Sequence, residues 1–586
     1  MTILSSLANA YERLPNAPPF GYSSEKIGVV VGLNEDGTVA SVTDWREGEG
    51  RKARPRAMLV PQPVKRTAGI APNFLWDKTS YVLGMTAGEG RRTADEHLAF
   101  VDRHIEEIGD SDDPGLRAFA LFLKNWSPEQ FNAPPWQDEM KDQNVVFALE
   151  SDRRAHLFLH DRPAAKSLWE RLSSQESGEP QICLVRGEPG AVARLHPSIK
   201  GVWGAQSSGA ALVSFNLDAF TSYDHEQGDN APVSEAAAFA YTTALNRFLE
   251  KDSGHRIQIG DASTVFWADA SKLADVDDAE AMFPAFFDAA EDMQQEEKTG
   301  TKRIHERLEQ IRKGIPLEEV EPDLGDVQFY VLGLAPNAAR LSIRFFYSGS
   351  FGELTRHYQE FVADMRIEPP PHNPFPPLWR YLRETAVLGK SENITPNLAG
   401  EWMRSILSGT YYPLTLLSSV LTRIRADGEI NALRAGILKA LLVRNFKREK
   451  TPVAFDPKND NKGYLLGRLF AVYEHIQTAA LGAKVNATIK DKFYGSASAQ
   501  PRKVFHLLES GSANHLSKVG KQKPGYKVVL EKQVGAIMDL MSPGDDPFPT
   551  SLSAADQALF GLGYYHQRNE FFKKPAEAIA PEEIDA

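Results

Sequence analysis

Between Pro61 and Gly84 the sequence reads PQPVKRTAGIAPNFLWDKTSYVLG. It sets Lys65 and Arg66, the amide of Asn73, the rings of Phe74 and Trp76, and Lys78 in one short segment bearing Pro and Gly. Arg46, Arg51, Lys52, Arg54 and Arg56 come just before it. Cations neutralise phosphates, a carboxamide can hydrogen-bond a base edge, and an aromatic face can stack on a base or wedge between two. These residue types suit contact with a nucleic acid. The same spacing also suits a surface loop whose Phe74 and Trp76 cap a core while its charges are solvated, so a motif this short leaves both readings open.

The charge distribution points the same way. The chain of 586 residues carries a net charge of −12, which argues against a general basic coat. Within it, Lys484 to Lys532 holds ten Lys and Arg against three acids (Asp491, Glu509, Glu531), whereas Ala270 to Asp326 holds sixteen acids against seven bases. Such asymmetry suits a molecule in which one part meets a polyanion and another stays away from it. The basic residues Lys490, Lys492, Arg502, Lys503, Lys518, Lys521, Lys523 and Lys527 crowd the last block. Arg423, Arg425, Arg434, Lys439, Arg444, Lys447, Arg448 and Lys450 run along two predicted helices before it. Both sets are expected to form a surface that tracks nucleic acid, with Asn486, Tyr494 and Ser496 placed to stack on or hydrogen-bond an unpaired strand.

No catalytic constellation is legible. There is no Gly-x-x-x-x-Gly-Lys-Ser/Thr phosphate loop and no His-Glu-x-x-His pair. His97 and His104 lie two turns apart on one predicted helix, without an acidic ligand pattern, and read as structural. Gln206 stands where a Gly-x-Ser-x-Gly elbow would need its Ser. A binding protein without a cofactor or a metal is expected rather than an enzyme. The dispersed carboxylates leave a metal-dependent nuclease as one alternative, and a scaffold that never touches DNA is another. The single cysteine, Cys183, excludes a disulfide within the chain. With no leader-like N-terminus and no apolar run of about 18 residues, a soluble cytoplasmic protein is expected.

These residues must be positioned by elements that the pattern outlines. An amphipathic helix over Leu4–Leu14 precedes strands at Lys26–Val31 and Thr38–Val42. Helices follow at Ala94–Ile108 and Leu116–Lys124. Val145–Leu149 and Ala155–Leu159 read as a hairpin, Ala164–Ser173 as a helix and Gln181–Arg186 as a strand. The glycines and serines of Gly201–Phe215 lead into a strand, AALVSFN, and Ser234 starts a helix that runs to Glu250. Further strands are expected at His255–Ile259 and Thr264–Ala268. Ala279–Arg312 reads as an acidic helical region with a solvated outer face. A hairpin over Phe329–Leu334 and Ala339–Tyr347 and a helix over Gly352–Met365 complete this part. The Pro-dense stretch Glu368–Pro377 reads as a linker, after which only helices are expected. The fold class is therefore an α+β N-terminal body with a mixed or antiparallel sheet, followed by an all-α C-terminal helical bundle. The expected division is a body over 1–368, a linker over 369–377, a helical domain over 378–452 and a terminal bundle over 453–586.

The Pro61–Gly84 segment resembles the signature of the large subunit of type I-C (Dvulg-subtype) CRISPR interference complexes, the Cascade family. Trp76 departs from it, standing where that signature has a Cys. Four more stretches resemble the same family in the same order: GAQSSGAALVSFN (Gly204–Asn216), NAPVSEAAAFAYTTALNRFLE (Asn230–Glu250), YLLGRLFAVYEHIQ (Tyr464–Gln477) and NATIKDKFYGSASAQPRKVF (Asn486–Phe505). The resemblance implies a non-catalytic subunit that recognises a short flanking motif (PAM) in double-stranded DNA and starts strand separation. It would also stabilise the R-loop and help recruit the helicase-nuclease. On that reading Asn73 contacts a base edge while Lys65, Arg66 and Lys78 hold phosphates. Gln206, Ser207 and Ser208 complete the site or wedge the strands apart. Arg51, Lys52 and Arg54, with Lys490, Lys492, Arg502, Lys503, Lys521, Lys523 and Lys527, contact nucleic-acid backbone. The implied partners are the CRISPR guide RNA, target duplex and displaced strand, backbone and handle-binding Cascade subunits, separate small subunits, and the recruited nuclease, with no membrane. The terminal bundle resembles the small subunit, which in this family is also made from an internal start. With no methionine between Met403 and Met538 such a start needs another codon, for which Val453 is placed.

Overall fold

The computed structural model describes residues 2–15, 17–48, 53–64, 66, 69–175, 181–215, 217–269, 273–287, 299–448, 450–482, 487–542, 544 and 546–573. The chain divides into two compact units, one of residues 2–197 and 213–244, the other of 198–212 and 245–586.

In the first unit, strands β1 (Tyr22–Ile27) and β4 (Arg56–Pro61) pair antiparallel. A mixed sheet has the order β3 (Val39–Asp44), β2 (Val29–Leu33), β6 (Asn144–Leu149), β5 (Trp76–Lys78), with β2 and β6 parallel and the outer pairings antiparallel. The run VVVGL is apolar at nearly every position because both faces of β2 are covered, as is usual for a parallel-paired central strand. Val29, Val31, Leu33, Val145 and Phe147 face a core with Phe100, Phe119 and Phe122 of helices Thr93–Ile108 and Pro114–Asn125. Val30, Val146 and Ala148 face the other way, against Val60, Trp76 and Phe158. Asp113 caps helix Pro114–Asn125 by accepting the N–H groups of Gly115 and Leu116, and Pro occupies the first turn, where its missing donor costs nothing. A short pair, β7 (Gln181–Ile182) with β8 (Pro189–Gly190), also lies in this unit.

Two expected strands take other forms. After Leu149 the chain turns at once into helix Glu150–Arg153, because Glu150 accepts the Ser41 hydroxyl at 2.5 Å and the Arg153 guanidinium at 2.8 Å. Residues 155–158 therefore form no hairpin with β6. Among its described residues the AALVSFN stretch makes only isolated bridges, Ile199 with Ala210 and Ala211 with Arg340.

In the second unit an antiparallel sheet has the order β12 (Arg340–Ser350), β11 (Gln328–Asn337), β10 (Ala262–Asp269), β9 (Arg256–Ile259). Helices Leu273–Phe287, Thr299–Arg312 and Phe351–Met365 pack on it through Phe283, Phe286, Ile311, Phe351 and Phe361. The acidic region thus buries an aromatic stripe as well as presenting a solvated face. Among the described residues no strand follows Ser350. The Pro-rich stretch 369–377 lies inside this unit, and one apolar core continues on both sides of it, from Phe329 to Tyr565.

The helices at the C-terminal end are Leu398–Leu407, Leu414–Asp427, Ala432–Arg444, Lys462–Leu481, Ile489–Ala499, Pro501–Gln522, Pro524–Met538 and Ala554–Glu570. Lys462–Leu481 and Ala554–Glu570 meet backbone to backbone. A Cβ on Gly467 would collide with the Phe560 carbonyl, and one on Gly563 with the Tyr464 carbonyl. Glycine is needed here for close approach rather than for an unusual φ. Among the described residues no helix is long and apolar enough to cross a membrane.

Candidate nucleic-acid interface

The early loop is built around Asp77. Its carboxylate is buried at the start of β5, where it accepts the Asn73 N–H at 2.8 Å and the Lys78 N–H at 2.8 Å, and it pairs with the Arg66 guanidinium. Burial pushes this carboxyl above its ordinary range, while Arg66 and the Asn73 N–H pull the other way. Arg66 also donates to the Ala71 carbonyl at 2.7 Å and lies 4.1 Å from the Tyr81 ring centroid. Arg66 is therefore engaged in closing its own loop.

Asn73 is only 4% exposed, and its Oδ1 accepts the Val64 N–H at 3.0 Å. In this conformation its side chain organises the loop and does not face solvent, unlike a residue poised on a base edge. Phe74 and Trp76 are core residues, and the Trp76 indole donates to the Pro61 carbonyl at 2.7 Å. The two rings cap a core, because the hydrophobic gain of burying them and one satisfied indole donor outweigh exposure. Lys78 remains exposed, as does Arg54, whose backbone bridges to Glu47. Arg51, Lys52 and Lys65 lie outside the described residues, as do Lys484 and Asn486.

His97 and His104 hold separate structural posts, His97 donating from Nδ1 to the Tyr81 carbonyl at 2.9 Å. His104 donates from Nδ1 to the Phe100 carbonyl at 2.7 Å. Among the described residues no cluster of His, Cys, Asp and Glu is arranged to hold a metal ion.

Gln206, Ser207 and Ser208 belong to the second unit, whereas Asn73, Arg66 and Lys78 belong to the first. They are exposed on a tight turn closed by the Gly209 N–H donating to the Gln206 carbonyl at 2.9 Å. The turn is pinned at its base by the reciprocal backbone bonds of Ile199 and Ala210, both 2.9 Å.

The basic residues of Arg423–Arg448 mostly do not form the expected tracking surface. Arg434 is buried between Glu384 and Asp427, and Arg444 between Glu360 and Asp364. Lys439 is buried and donates to the carbonyls of Ala363 at 2.8 Å and Asp364 at 3.1 Å. Loss of hydration lowers its pKa to about 8. Arg423 pairs with Asp427, Arg425 bonds Gln557 and Arg448 pairs with Asp556. Buried cations persist when paired and hydrogen-bonded, and these tie helices together. Of this set Arg425, Lys447 and Lys450 are exposed, and the last two lie in the segment after helix Ala432–Arg444. Tyr494 is also buried, packed against Phe470, Phe560 and Tyr564, so it offers no stacking face.

The last helices differ. Arg502 pairs with Asp546, and Lys527 lies 3.5 Å from Glu531. Lys490 is half-buried, while Lys492, Lys503, Lys518, Lys521 and Lys523 are exposed and carry no ion pair among the described residues. On helix Pro501–Gln522, positions 503, 507, 510, 514, 517, 518 and 521 fall within an arc of about 100° at ~100° per residue. This line reads Lys, Leu, Ser, Asn, Ser, Lys, Lys; every member is exposed and none is acidic. At ~1.5 Å per residue it is about 27 Å long, enough to follow several phosphates. Periodicity could have found it in the sequence, because the helix is continuous over Pro501–Gln522.

No curated protein matches the chain. A family model described as CRISPR-associated protein (Cas_Csd1) matches residues 7–572, nearly the whole length. With its mixed-sheet unit, its antiparallel-sheet unit and its helical C-terminal region, the chain belongs to the Cas_Csd1 family of CRISPR-associated proteins.

Proposed function

We propose that this chain is the non-catalytic large subunit of a type I-C CRISPR surveillance complex (Cascade). It recognises the PAM in double-stranded DNA, starts strand separation and stabilises the R-loop, and it helps to recruit the helicase-nuclease that cuts. Guide pairing reads most of the target sequence, so the protein need read only the short flanking motif. Lys78, Gln206, Ser207 and Ser208 are exposed members of the motif-reading set; Asn73 and Arg66, the latter exposed but held by Asp77, set the shape of the loop that carries Lys78. The observation that carries the reading is the acid-free line Lys503–Lys518–Lys521 on helix Pro501–Gln522, continued by Lys523, in a protein whose net charge is −12. Such a local reversal of sign suits a phosphate-tracking surface for the displaced strand or the guide–target hybrid. The setting is a cytoplasmic assembly with guide RNA, backbone and handle-binding subunits, and separate small subunits resembling the chain's own C-terminal bundle. The test is binding of a PAM-flanked duplex by the assembled complex with Lys521→Ala and Lys523→Ala introduced. Weakened binding with a shallower salt dependence supports the reading, and unchanged binding overturns it.

A further inference from the structure

Tyr411 is 61% exposed, next to a residue that is fixed in place. Its neighbour Tyr412 is buried, with its hydroxyl on Asp364 at 2.8 Å. The Tyr412 backbone is clamped at both groups by one side chain: Asn445 Oδ1 accepts its N–H at 3.2 Å, and Asn445 Nδ2 donates to its carbonyl at 2.7 Å. Upstream, Gly409 (φ 63°) turns against the His357 ring, where a Cβ would collide. The exposed ring is therefore presented from an anchored backbone.

The same clamp brings Lys447 to it. Helix Ala432–Arg444 closes with the Arg448 N–H donating to the Leu442 carbonyl at 3.0 Å and Lys447 in the left-handed region at φ 53°. That is the position after a helix where glycine is usual, because a side chain there strains the backbone. Here a lysine holds it, and its Nζ sits 4.9 Å from the Tyr411 ring centroid. Lys450 is exposed three residues on. Strain kept at one residue is a pointer to use rather than to stability. Every other cation named on helix Ala432–Arg444 is engaged internally, which leaves this ring-and-cation pair facing out.

We propose that Tyr411 is a stacking platform for an unpaired nucleobase, with Lys447 and Lys450 taking the adjoining phosphates. This rests on the nucleic-acid-binding reading above and adds a base-contacting site outside the Lys503–Lys523 line. A base face and a phosphate together match an aromatic ring beside paired cations, and stacking of this kind tolerates any sequence.

The full chain would be titrated at low salt with a fluorescent single-stranded oligonucleotide carrying one 2-aminopurine. Tyr411→Ala is expected to weaken binding about tenfold and abolish the 2-aminopurine quench, and Tyr411→Trp to keep both. Lys447→Gly is expected to raise the melting temperature while weakening binding, a combination that a purely structural lysine would not produce. Lys521→Ala with Lys523→Ala should weaken binding but leave the quench. If Tyr411→Ala keeps affinity and quench while the lysine pair weakens binding, the stacking site is overturned and the wider reading stands. If the wild-type chain binds no oligonucleotide, both are overturned. If Tyr411→Ala changes only co-purification of other complex subunits, the patch is a protein contact and the stacking site is overturned.

Discussion

The Nε2 of His104 accepts the backbone N–H of Leu75 at 2.8 Å. Leu75 stands at φ 63°, a conformation that a branched side chain adopts only when its surroundings hold it. His104 thereby couples helix Thr93–Ile108 to the turn that feeds Asn73, Asp77 and Lys78 into β5.

His104→Ala leaves the Leu75 N–H buried without an acceptor and opens a cavity beside Phe74 and Phe100. The expected cost is about 2–4 kcal/mol, read from urea unfolding at pH 7. Burial keeps the ring neutral, with its pKa lowered to about 3. The unfolded chain takes up a proton below about pH 6.5 and the folded one does not, so this group's contribution falls as pH drops from about 6.5 toward 3. The gap between wild type and His104→Ala should therefore narrow between pH 7 and 4.5. A constant gap would mean that the imidazole does not titrate differently in the two states.

The carbonyl-to-Cα approach at Gly467 offers a second test. Gly467→Ala must push helix Lys462–Leu481 away from Ala554–Glu570, because the obstacle is the Phe560 backbone rather than a movable side chain. A loss of about 3 kcal/mol is expected. Gly511→Ala, where an added Cβ meets nothing within 4 Å, should instead be neutral or slightly stabilising, by up to about 1 kcal/mol. Equal melting temperatures for the two variants would refute the close packing.

Lys78 is a cation that the Asp77-centred loop presents to solvent. In the assembled complex, Lys78→Ala together with Asn73→Ala is expected to lower affinity for PAM-flanked duplex about tenfold. Affinity for a guide-matched single strand, which needs no opening, should hold. Asn73→Ala also frees the Val64 N–H, so the melting temperature of each single variant separates loop collapse from lost contact. Parallel losses on duplex and single strand would remove the N-terminal unit from PAM reading.

Replacing Lys521 and Lys523 by alanine removes two unpaired cations. Affinity should fall regardless of flanking sequence, and the slope of log K against log salt should flatten by about 1.5. The double variant of Arg434 and Arg444 is the contrast. Those guanidiniums lie among Glu384, Asp427, Glu360 and Asp364, so their loss should appear as unfolding and not as a gentler salt slope.

Apolar periodicity and proline placement make much of the fold legible in the sequence. The β11–β12 hairpin, helix Phe351–Met365 and the helices beyond the Pro-rich stretch follow from local pattern, because the local sequence sets both a helix's face and a strand's alternation. The roles of Asn73 and Arg66 did not follow. Both are the right types for a nucleic-acid contact, and whether they make one depends on Asp77 being buried between them.

The order of the elements, the family resemblance and the positive sign of the segment after Lys484 are written along the chain, since each is a property of neighbouring residues. Which cations are available follows from folding alone. Arg434 meets Glu384 across 50 positions, Arg444 meets Glu360 across 84 and Arg448 meets Asp556 across 108, and such pairings leave no local trace. A charge acts on a ligand only where folding leaves it hydrated and unpaired, so the lysines of helix Pro501–Gln522 and the Tyr411–Lys447 pair stand apart from an otherwise similar run of bases.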